Sequence, residues 1–274
     1  METKKAPLVG HRALLLCLVA VLAGFTSRAG WAQSAAVCGP APAVKLALDG
    51  LPQQTPAQTD WQFHEQHAAA IQALLRQYPN DVFVERAYIN SMQGDKDRDK
   101  VTAEFKARHE QNPADPQLAY LYAMTLVGRQ SAEAIKLFNG ALEKDPNFAL
   151  PHLQLVSIYG SPVFMDKAQR LAHVKAFLDA CSASPEGYER LTGIDDKDLQ
   201  RTYAAKLRTM LASRSDPEAV GAYTTLWSLE FKVRPPSEYD PLRKQVGQDL
   251  ERIRQLKLED KRHGIRHSSM ATSW

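Results

Sequence analysis

Cysteine is scarce in this 274-residue chain, which carries it at Cys17, Cys38 and Cys181 alone. None of the three forms a C-x-x-C pair, so the dithiol exchange that such a pair supports is excluded. Phosphate-cradling G-x-x-x-x-G-K-[ST], G-x-G-x-x-G after a strand and the G-x-S-x-G elbow are all missing. No segment alternates apolar and polar residues between hairpin turns, so no sheet is expected. The one marked apolar run, ALLLCLVAVLAGF at 13–25, falls short of the ~20 residues that cross a bilayer.

That run instead fits an export signal. A basic start, with Lys4, Lys5, His11 and Arg12, precedes it, and the small-x-Ala sites Ser27-Arg28-Ala29 and Gly30-Trp31-Ala32 follow. Residues 1–32 are therefore read as a signal peptide, which makes the protein periplasmic or secreted, in the style of a bacterial envelope protein. Membrane attachment follows only if this segment stays uncleaved. Removing 1–32 leaves 30 of the 34 basic and 30 of the 31 acidic residues. A balanced surface lacks the basic face that nucleic-acid binding requires.

What the chain does have is a period. Pro79, Pro113 and Pro146 each close a helix-like segment and stand 34 and 33 residues apart. A repeat of this length marks stacked helix–turn–helix units. The clearest unit is 114–146. Leu118, Leu121, Tyr122 and Leu126 form one apolar stripe, and Gly128 suits the end of that helix. Ser131 is expected to cap a second helix that buries Ala134, Ile135, Phe138, Ala141 and Leu142, with Asp145-Pro146 stopping it. Eight residues before successive prolines stand Ile71, Phe105, Phe138, Phe177 and Thr209, four of the five large and apolar.

Ala134, Phe138, Ala141 and Pro146, at offsets 0, 4, 7 and 12, resemble the second-helix half of a tetratricopeptide repeat. Small Ala134 and Ala141 let neighbouring helices approach while Phe138 fills the gap. Ala123 serves as the small residue of the first helix, and Ala119 stands where the family carries tryptophan. The resemblance covers about 60–185 well and 186–258 poorly. It implies an all-α, helix–turn–helix solenoid over 60–258, after a flexible arm at 33–59 and before a disordered tail at 259–274. The turn near Gly160-Ser161-Pro162 reads as extended, Asp195 and Asp216 as helix caps, and 237–258 as a charged capping helix. A second likeness lies at 217–246, PEAVGAYTTLWSLEFKVRPPSEYDPLRKQV, which resembles the helical region ahead of a thioredoxin-like domain in some bacterial exported proteins. It implies a shortened relative that keeps only the helical part.

Chemistry-bearing residues are few. Cys38 and Cys181 survive export and can pair, tying the arm to the stack. Alternatively Cys181, in phase with Leu142, is a small buried hydrophobe and Cys38 is free. His64 and His67 are three apart with no third ligand in view, so they read as structural rather than metal-binding. His173, also in repeat phase, reads the same way. Asp195, Asp196 and Asp198 sit at a helix start, where negative charge favours the dipole. No residue set points to catalysis, a cofactor or a metal, so the chain is not read as an enzyme.

In the tetratricopeptide family the first helices line a concave groove. Carried over by phase, the groove positions are Phe83, Arg86 and Asn90, then Gln117, Tyr120 and Met124, then Leu150, Leu153 and Ser157. Tyr120 and Met124 suit packing between repeats equally well. The resemblance implies an exported interaction module or scaffold holding a protein or peptide. Arg86 is the expected handle, and its reversal to Glu is expected to abolish capture. The alternative is a helical accessory part of an envelope thiol-redox system.

Overall fold

A computed structural model describes residues 37–55, 57–92, 95–213 and 219–262. The stretch read as a signal peptide, the cap at Asp216 and most of the tail lie outside the described residues. Among them the protein is all α, with no strand. Helix α1 spans Pro42–Asp49, α2 Asp60–Gln77, α3 Val82–Ser91, α4 Asp95–Gln111, α5 Pro116–Leu126 and α6 Ser131–Lys144. Helix α7 spans Leu150–Ile158, α8 Lys167–Ala180, α9 Pro185–Leu191, α10 Lys197–Ser213, α11 Ala219–Val233 and α12 Tyr239–Arg262. Consecutive helices pack on one another through most of this series, and the first helices α3 and α5 also touch directly.

Two of the three prolines share a local device. Pro79-Asn80-Asp81 and Pro113-Ala114-Asp115 end one helix and start the next within three residues. The Asp81 carboxylate accepts the Phe83 and Val84 amides, and Asp115 accepts those of Gln117 and Leu118. Each cap satisfies two N–H groups that a helix start otherwise leaves orphaned. Asp166 caps α8 in the same way. The expected cap of α10 shifts by one residue. Asp196, not Asp195, accepts the Leu199 amide, because the helix begins at Lys197. Ser131 is likewise not a cap. It is the first residue of α6, and its hydroxyl accepts the amide of Gly128, whose φ of 85° needs glycine.

The core follows the repeat phase. Ile71, Phe105, Phe138 and Phe177 are all buried. Thr209 is exposed, because α10 turns Leu207 and Leu211 inward instead. From α9 onward the packing changes character. Arg208 of α10 binds both Glu230 of α11 (2.6 Å) and Asp249 of α12 (3.2 Å). The Trp227 indole donates to the same Asp249 at 2.8 Å. Three helices are thus tied by one cation rather than by repeat-type small-on-aromatic packing. The last helix runs Tyr239–Arg262 behind a 3-10 turn, a little later than 237–258.

The segment expected to be a flexible arm carries α1, and Cys38 is bonded to Cys181 (Cα–Cα 5.4 Å). Cys181 is also a core residue, at 2% exposure beside the last turn of α8. The bond excludes the reading that left Cys38 free, while Cys181 keeps the core position expected from its phase. The long turn between α7 and α8 is present and leaves Val163 and Met165 exposed.

Candidate functional site

The nine groove positions divide by their distance from the preceding proline. Four residues on, Phe83 and Gln117 are half-buried and Leu150 is buried. Seven on, Arg86 is largely covered and Tyr120 and Leu153 are fully buried. Eleven on, Asn90 and Ser157 are exposed and Met124 is half-buried. The fully exposed positions, Asn90 and Ser157, both stand in the last turn of a first helix. The middle turn is core, because a first helix of nine to eleven residues is packed on both sides over its length. Tyr120 and Leu153 are thus corrected from ligand contacts to packing residues. The Tyr120 ring meets Phe138 at 5.7 Å and stands edge-on to Phe148 at 5.3 Å.

Arg86 is corrected too. Its guanidinium binds Glu186 of α9 at 2.9 Å, one hundred residues further along the chain. Burial alone would lower the Arg86 pKa; the neighbouring Tyr120 and Glu186 outweigh it and hold the charge in place. The Tyr120 hydroxyl, buried beside this pair, is pushed up to about 12, chiefly by burial. Arg86 is therefore a structural link between α3 and α9. Reversal to Glu would set two carboxylates against each other and strain the fold, so it does not report on binding.

Two of these last-turn positions converge, whereas the exposed Ser157 lies outside their cavity. Asn90 and Met124 line one cavity of about 340 Å³ at the C-terminal ends of α3 and α5. Ile89, Met92 and Val127 supply apolar wall from the same helix ends, and Val101 does so from α4. Gln154 of α7 and Arg98 of α4 add polar groups. Met92, Arg98 and Gln154 were missed by sequence reasoning. The signal for Gln154 was one residue away: Leu153 faces the core, so its neighbour faces the opening. Arg98 escaped because it stands on a second helix, outside the family's groove pattern.

A second cavity of about 240 Å³ sits at the other ends of these helices and takes in Gln117, Asn80, Glu85 and Arg108. Its charges are mutually satisfied, since Arg108 binds Glu85 at 2.6 Å and lies over the Phe105 ring. Gln117 thus belongs to this cavity and not with Asn90 and Met124.

The histidines have structural partners. His67 Nδ1 lies 3.1 Å from the Pro52 carbonyl, and Phe63 packs against both His64 and His67. His173 of α8 pairs with His152 of α7, their Nδ1 atoms 2.9 Å apart, and stacks on Tyr159. Burial and then His173 lower His152 to about 4, and burial lowers His173. Compared with models of known protein families and with curated proteins, the chain matches none.

Proposed function

We propose that this protein is an exported interaction module of tetratricopeptide type, which holds an extended protein segment across the ends of α3 and α5, beside Gln154 of α7. One observation carries the reading. The last turns of α3 and α5 gather into a single cavity, with apolar wall beside the polar groups of Asn90 and, from the middle of α7, Gln154. A site of that composition buries a side chain and orients a backbone. The Cys38–Cys181 bond supports the export reading of residues 1–32, because such bonds persist in oxidising compartments. The same bond weighs against a thiol-redox role, since Cys181 is buried and offers no free thiolate.

The test is quantitative cross-linking capture from envelope extract with the disulfide-bonded protein as bait. Asn90→Arg, an exposed change that fills the cavity mouth, is the control. Partners lost with Asn90→Arg at unchanged helicity support the module. Partners indifferent to it place binding elsewhere on the surface.

A further inference from the structure

The arginines of α3 and α4 are unevenly settled. Arg86 is matched by Glu186 and Arg108 by Glu85. Arg98 lines the cavity from the first turns of α4, is exposed, and has no carboxylate within ion-pair distance among the described residues. Among the described residues, no acidic side chain lines this cavity. The described lining thus carries one charge, the Arg98 guanidinium, beside the wall made by Met92, Met124 and Val127.

The neutral polar groups set the direction of a ligand. Asn90 projects from α3, Met124 from α5 and Gln154 from α7, so an occupant running across the helix ends meets an amide before and after the apolar wall. Side-chain amides of this kind donate to and accept from a peptide backbone. A backbone that continues past both amides belongs to the interior of a chain rather than to its end.

We infer that the cavity selects an internal, extended peptide segment with an apolar side chain next to an aspartate or glutamate, whose side-chain carboxylate pairs with Arg98. This inference rests on the proposed interaction role and adds the chemistry of the partner. Methionine walls accept several apolar shapes, so the apolar residue is specified loosely. The guanidinium fork prefers a carboxylate in one orientation, so the acidic residue is specified closely.

The experiment uses an array of octapeptides acetylated and amidated at their ends, randomised at two adjacent central positions. A second array carries the same sequences with free C-termini. Fluorophore-labelled protein with its disulfide intact is applied as wild type, Arg98→Gln, Arg98→Glu and Asn90→Arg, and circular dichroism checks the fold of each. Blocked peptides pairing Leu, Ile or Met with Asp or Glu are expected to bind best. Arg98→Gln should cut that binding about tenfold, the scale of losing one charged hydrogen-bonded contact. Arg98→Glu should turn the preference toward Lys and Arg. Binding only by free C-termini, or an acidic preference that survives Arg98→Glu, overturns the inference. Apolar peptides that bind without acidic preference, but are lost with Asn90→Arg, overturn it while leaving the interaction role standing. No binding by any peptide counts against both.

Discussion

At the scale of residues, the pair His152 and His173 makes a specific claim about acid. The two Nδ1 atoms lie 2.9 Å apart between α7 and α8, close enough to share one proton but not to hold two charges comfortably. Both groups are lowered from the ordinary imidazole value, His152 to about 4. The unfolded chain then binds protons that the folded one refuses. Stability from this pair is full above the unfolded value of about 6.5 and is lost as pH falls from there toward 4. Discounting for partial exposure, the loss should reach about 2 kcal/mol. Urea unfolding at pH 7 and pH 4.5 measures it, with His152→Gln separating this pair from carboxylate titration. The variant should lose less stability on acidification than the wild type, and equal losses would contradict the assignment. The same scale explains why Arg86 misled the sequence reading. Position along a helix says which way a side chain starts, but not whether a carboxylate a hundred residues away meets it. Glu186 was legible only in three dimensions.

At the scale of elements, a buried large apolar residue in phase with the prolines carries the helix pairs through α8. It was readable because each second helix repeats one large apolar residue at a fixed distance from its proline. Phe105, Phe138 and Phe177 fill the gap between hairpins in turn. The phase fails at Thr209 because α10 is held by different physics. Arg208 joins Glu230 and Asp249, both almost fully buried, so removing it strands two carboxylates. Arg208→Ala should cost about 3 to 5 kcal/mol by that route. Hydrogen exchange should accelerate across α11 and α12 while α5 and α6 stay protected. Uniform acceleration through the whole chain would mean that α10–α12 and the helices before them unfold as one. Sequence reasoning had no access to this knot, since its members are 22 and 41 residues apart and each is an ordinary surface residue type.

At the scale of the whole molecule, one covalent bond joins a residue before the first helix to the end of the eighth. The Cys38–Cys181 link closes a span of 143 residues that contains most of the repeat stack. Restricting so long a loop in the unfolded chain is worth up to about 5 kcal/mol on the entropic account. Denaturant midpoints with and without reductant should therefore differ for the wild type and coincide for Cys38→Ser. Coincidence for both would mean that the link constrains little. The stack itself was legible from its period, and the bond was one of two readings of the same cysteines. The binding face was legible only in part. Asn90 and Met124 line the cavity, whereas Tyr120 and Leu153 turned inward because short first helices bury their middle turn. Arg98 comes from a helix that phase alone assigns to the back.

The account rests most heavily on the cavity at the ends of α3 and α5, beside Gln154 of α7. The measurement that tests it most directly is cross-linking capture by the wild type beside Asn90→Arg, at matched protein and verified fold. The account predicts partners captured by the first and lost by the second. The same partners at the same yield from both would contradict it.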